Sequence, residues 1–156
     1  IPLSFYDVWV KDIMKVNRDL VWLAVGFFVM ALFSYGISQY YLNRVQAISN
    51  MVDAQLKAIY DWLNRAIKGE NMTSPPPQVA YYTYWVLGQE YKYPANPYRF
   101  DLDVFLEMDT LRASVEVPYI FSWICFGAGI ASLILSLRGK KNEEQDVAKA
   151  EDTIIL

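Results

Sequence analysis

The sequence predicts an all-α membrane protein: two transmembrane helices joined by an external helical hairpin with an aromatic-rich loop. Three observations lead there. Two uncharged runs, Leu20–Leu42 and Val117–Leu137, contain 23 and 21 residues, and about 20 apolar residues at a rise of ~1.5 Å each cross a bilayer. Between them, residues 44–68 carry a sustained helical repeat. Of the 156 residues, 54% are hydrophobic, 16% aromatic and only 20% charged, against roughly a quarter charged in an ordinary soluble domain.

Residues 1–19 read as a cytoplasmic amphipathic helix in the membrane interface. Phe5, Val8, Trp9, Ile13 and Val16 recur at helical spacing, with Asp7, Lys11, Asp12, Lys15 and Arg18 opposite them. Packing on a partner subunit accounts for the same face equally well. Transmembrane helix 1 is residues 20–42. Trp22 stands at one end and Tyr40 and Tyr41 at the other, where amphipathic rings favour the headgroup level.

Residues 43–68 extend that helix outside the membrane. Val45, Ile48, Val52, Gln55, Ile59, Trp62 and Ala66 step by alternating threes and fours, which sets a seam along one face. The extension rises on the order of 35 Å, and Gly69 is its stop. Residues 69–100 form an external Pro- and Tyr-rich loop. Pro75–Pro77 force an extended reversal, and the aromatic stretch after them suits either a strand pair or a short helix with a loop. Residues 101–116 are expected to be helical with Asp101 as N-cap. Transmembrane helix 2 follows at residues 117–137, with Pro118 either opening a new helix or kinking a continuous one. Residues 138–156 are a charged cytoplasmic tail, expected to be mostly disordered.

Lys and Arg set the orientation. Lys11, Lys15, Arg18, Arg138, Lys140 and Lys141 flank one side, and Arg44, Lys57 and Arg112 the other. Both termini are therefore expected in the cytoplasm, the membrane being the plasma membrane. Asn71-Met72-Thr73 is then an external N-x-T acceptor, which makes Asn71 a candidate glycosylation site.

Two absences bound the chemistry. The chain has no histidine and one cysteine, Cys125. That removes His-ligated haem, most zinc and copper sites, Ser-His and Cys-His nucleophile pairs, an intrachain disulfide and Cys-held iron–sulfur clusters. A net charge of -3 argues against nucleic acid. Asp101, Asp103, Glu107 and Asp109 lack the glycine and alternate spacing of a calcium loop and read as a capped, solvated helix face. Neither span contains Asp, Glu, Lys or Arg, so no intramembrane charge marks an ion path. No catalytic residue, cofactor, metal or soluble small-molecule substrate is expected.

Two constellations remain. Gly127 with Ala131, and Ala128 with Ser132, are small-xxx-small pairs that, with Gly129, let helix backbones approach closely. Tyr81, Tyr82, Tyr84, Trp85, Tyr91 and Tyr93 form a surface costly to leave in water. It suits partner docking, with packing on the chain's own long helix as the bland alternative. Together these features point to a non-catalytic accessory subunit of a multi-subunit integral membrane complex of respiratory, oxidase/monooxygenase or transport type. Its partners would be the lipid bilayer and other integral membrane subunits.

A homo-oligomeric two-span channel and a membrane sensor or adaptor are the alternatives. The stretch LVWLAVG at Leu20–Gly26 and the RGKKNEE segment of the tail resemble, in outline, the large mechanosensitive channels. That resemblance implies a pore-lining first helix. Phe27, Phe28, Met30 and Phe33 depart from the small residues such a helix carries.

Overall fold

Nothing in residues 37–68 breaks a helix, since neither Gly nor Pro occurs there. A computed structural model, which describes residues 18–96 and 102–155, accordingly shows one helix, α1, over Arg18–Ile67. The interfacial helix expected at residues 1–19 lies, apart from its last two positions, outside the described residues, as do Asp101, Tyr98 and Phe100. Helix α1 stops in a Schellman motif. Gly69 has φ +80°. Its N–H donates to Ala66 O at 3.1 Å and the Glu70 N–H to Arg65 O at 3.2 Å.

The remaining elements are β1 (Ala80–Val86), β2 (Gln89–Ala95) and α2 (Leu102–Ile155). The described part of the chain is thus mostly helical, with a small two-stranded antiparallel sheet. This corrects the all-α expectation: the second half of the expected loop is a β-hairpin. Tyr, Trp, Thr and Val favour a strand, and burial alternates along it. The two-residue turn Leu87–Gly88, with φ 51° and 76°, has the handedness that closes a tight hairpin. Pro94 is tolerated because a two-stranded sheet is all edge. The helix expected at 101–116 and the span at 117–137 are one helix running through Pro118. The tail is helical to Ile155 rather than disordered. It is rich in Ala, Glu, Lys and Gln, good helix formers, although residues 144–154 are exposed throughout and gain nothing from packing.

Two compact units divide the chain, residues 34–120 and residues up to 33 together with 121 onwards. In the unit 34–120, Val45, Tyr84, Val86, Met108 and Val115 form the buried core, with Tyr41, Leu42, Tyr82, Leu87, Tyr91, Tyr93, Val104, Phe105 and Leu111 packed around it. Residues 70–79 run back along α1, pinned where Trp62 Nε1 donates to Ser74 O at 3.3 Å. Ten residues at ~3.1 Å each cover about 31 Å, against ~27 Å for the drop from Ile67 to Ser49 at 1.5 Å per residue. That is reach enough for the hairpin to be tied to α1 at Ser49, whose Oγ accepts the N–H of Lys92, the partner of Thr83 midway along the strands, at 3.1 Å. At the other end the Leu87 N–H donates to Glu116 Oε1 at 3.3 Å. Leu87 is a non-glycine residue in the left-handed region, where bulky side chains are uncommon. Its contact with the core and its bond to Glu116 hold it there.

In the other unit the two helices bury small residues: Ala24, Ala31, Ser122, Cys125, Gly129, Ser132 and Ser136. Ser122 Oγ donates across to Ala31 O at 2.9 Å. A Cβ placed on Gly129 would lie 2.8 Å from Phe28 Cε1, so the glycine is what admits that ring. Phe28 packs in turn on Phe126, ring centroids 5.6 Å apart. Trp22, Leu32, Phe33, Trp123, Ile124 and Leu137 all face outward, each more than half exposed.

Candidate functional site

Alternation along β1 splits the six aromatic residues expected to dock a partner. Side chains on a strand point alternately to opposite faces, and here the inward set is Tyr82, Tyr84 and Val86. Tyr84 is 8% exposed. Tyr82 stacks on Phe105 at 4.8 Å, and Tyr84 lies 6.4 Å from each of Tyr91 and Tyr93. Tyr84 thus belongs to this chain's own core, and Tyr82, Tyr91 and Tyr93 pack against it. Only Tyr81 and Trp85 face outward, 40% and 58% exposed.

The small-residue positions divide in the same way. Gly129 and Ser132 are buried and Ala128 partly so, with Ser132 Oγ donating to Ala128 O at 2.9 Å. Gly127 and Ala131 are exposed, and among the described residues nothing beyond the helix's own backbone lies within 4 Å of where a Cβ on Gly127 would stand. One face of α2 therefore meets α1 within the unit, and a second small face is open. Asn71 and Thr73 are exposed just beyond the Schellman turn.

Sequence reasoning missed a groove of about 580 Å³ in the unit 34–120. Helix α1 supplies Tyr41, Arg44 and Ile48, and β2 supplies Tyr93. From α2 come Asp103, Leu106 and Glu107, then Thr110, Leu111 and Ser114 one and two turns on. Tyr93 Oη donates to Glu107 Oε2. Burial, and after it that hydrogen bond, push the Tyr93 phenol up to about 12. Thr110 and Ser114 return their hydroxyls to the helix, to Leu106 O and Thr110 O, each at 2.7 Å. Asp103 and Glu107 are both exposed, as a solvated helix face requires. The signal that finds the groove is the burial register of α2, with Met108 and Val115 seven residues apart, which turns the neighbouring positions toward α1.

Two further polar features flank it. The Tyr84 hydroxyl is buried with no hydrogen-bond partner among the described residues, and burial, with the neighbouring Tyr91, raises its pKa. Lys92 pairs with Asp53, and that hydrogen bond raises the lysine's pKa. No protein-family model, curated protein or solved structure matches this chain.

Proposed function

We propose that this chain is a non-catalytic structural subunit of a multi-subunit integral membrane complex. The observation that carries the reading is the inverted distribution of side chains in the unit of residues 18–33 and 121–155. Small and hydroxyl-bearing residues line the inside and bulky apolar ones the outside. In the most apolar windows of the two helices, only 17% and 22% is buried within the chain, far less than a soluble core helix requires. Lipid or other apolar helices must cover the rest.

The buried hydroxyls are used up on backbone carbonyls, at Ala31, Ala128 and Leu133, and do structural service. The open notch at Gly127 and Ala131 is the place where a helix of another subunit can approach closely. Tyr81 and Trp85 offer a second contact on the outer side. The excess of Lys and Arg beside residues 18 and 138 supports cytoplasmic termini, with the hairpin-bearing unit outside the plasma membrane.

Extraction from the native membrane in mild detergent, a native gel and mass spectrometry of every co-migrating protein test this. Stoichiometric company with a polytopic protein is the expected result. A species containing this chain alone overturns it, and a homo-oligomeric channel becomes the next hypothesis.

A further inference from the structure

The groove of the unit 34–120 has no part in the subunit reading. Its chemistry is two-signed. The Arg44 guanidinium lines it and enters no ion pair or hydrogen bond among the described residues, whereas Arg65, Lys92 and Arg112 are each paired with a carboxylate. Glu107 lines the same groove, and only one of its carboxylate oxygens is taken, by Tyr93. Ile48, Leu106 and Leu111 add apolar wall.

Depth narrows the choice of ligand. Tyr41 and Arg44 stand at the end of the uncharged run of α1 and two residues past it, a rise of about 3 Å. Polar headgroups occupy roughly the next 5–7 Å beyond the hydrocarbon. Where α1 crosses a bilayer, Arg44 therefore stands among headgroups, and Glu107, ten residues or about 15 Å before the uncharged run of α2, lies on the groove's outer, water-facing side. An anionic headgroup satisfies Arg44 and meets Glu107 with like charge. A bare cation does the reverse. A molecule carrying a phosphate and an ammonium together satisfies both, and a primary ammonium has N–H donors for the Glu107 carboxylate that a quaternary one lacks.

We propose that this groove binds the headgroup of a zwitterionic phospholipid with a primary ammonium, its phosphate on Arg44 and its ammonium on Glu107. The inference rests on α1 crossing a bilayer and is independent of which subunits the chain joins.

The test is native mass spectrometry of the full chain, in whatever assembly it is extracted, with added phosphatidylethanolamine, phosphatidylcholine or phosphatidylglycerol. We expect one retained phosphatidylethanolamine per chain. Arg44→Gln and Glu107→Gln should each weaken retention about tenfold, the order that a charge-assisted hydrogen bond carries. Asp109→Asn removes a nearby exposed carboxylate that does not line the groove and should leave retention unchanged. Retention in Asp109→Asn together with loss in Glu107→Gln, with both variants keeping the parent's near-ultraviolet circular dichroism, separates binding from folding. Equal retention of phosphatidylcholine or phosphatidylglycerol, or full retention in Arg44→Gln, overturns the proposal. So does equal competition by water-soluble glycerophosphoethanolamine, which would make the ligand a free zwitterion. These readouts count lipid, not protein partners, so their failure leaves the subunit reading standing.

Discussion

The two units use the same helical step and fill it in opposite ways. Along α1 the buried positions Ala24, Ala31, Ser38, Val45 and Val52 fall seven residues apart, and along α2 so do Met108, Val115, Ser122, Gly129 and Ser136. In the unit 34–120 the step holds Val45, Val52, Met108 and Val115, with Ser38 the one hydroxyl among them, and a hairpin adds Tyr84 and Val86. In the other unit it holds alanine, serine and glycine. A fold surrounded by water gains stability by removing large apolar side chains from it. Surrounded by hydrocarbon, a buried leucine gains nothing over an exposed one. Close backbone approach and hydroxyl-to-carbonyl bonds hold the helices instead. On the proposed membrane reading, the contrast teaches that the environment is written into which face is bulky, not into how apolar the helix is.

The sharpest way to break this comparison is Tyr84→Ala. Deleting a buried ring from the hairpin-bearing unit should cost about 3–5 kcal/mol, read as unfolding of the full chain in detergent by near-ultraviolet circular dichroism. Tyr84→Phe should cost little, since the hydroxyl has no partner to lose. If both variants melt like the parent, the hairpin is not part of a core.

Gly129→Val comes next. The added atoms meet Phe28, and overpacking of this kind costs about 1–3 kcal/mol. The same change at Gly127 should leave the isolated chain's melting temperature unaltered and weaken co-purification with partners. Phe28→Ala in the Gly129→Val background should recover part of the loss, and no recovery would mean the strain lies elsewhere.

Smaller effects attach to the serines. Ser38 Oγ donates to Val115 O at 2.8 Å as Ser122 Oγ does to Ala31 O. Alanine at either site should cost about 1 kcal/mol, and a double mutant should be close to additive if the two bonds act in separate units.

The smallest effect is a pH dependence confined to the hairpin-bearing unit. Tyr93 in the fold keeps its proton up to about pH 12, while in the unfolded chain it ionises near 10.0. Stability is therefore fully present below about 10 and falls between 10 and 12 as only the unfolded state loses the proton. Tyr93 is only partly buried, so screening by water keeps the effect small. Comparing alkaline melting curves of the parent and Tyr93→Phe checks it: the variant should lack that portion of the fall.

Much of the helical frame was legible in residue order. The seam through Val45, Val52, Ile59 and Ala66 could be read because 3.6-residue periodicity is local. So could the stop at Gly69, where a left-handed residue favours glycine. The hairpin was only half legible. The aromatic stretch suits a strand pair and a short helix alike, and Leu87-Gly88 is not the usual turn pair. Leucine tolerates its positive φ here only because the core and Glu116 hold it. The tail is helical because its helix-forming residues outweigh its charge.

For this protein, residue order by itself determined two long apolar helices, the extended reversal at Pro75–Pro77 and the absence of histidine chemistry, because each depends on neighbours in the chain or on composition. Tertiary structure decided which aromatic side chains are core and which are surface. It also decided that Gly129 seats Phe28 while Gly127 stays open, and that Arg44, Tyr93 and Glu107 share one groove. Those outcomes depend on the register of one helix against another and of a strand against both. Register is fixed by the fit of side chains far apart in sequence, which no local pattern encodes.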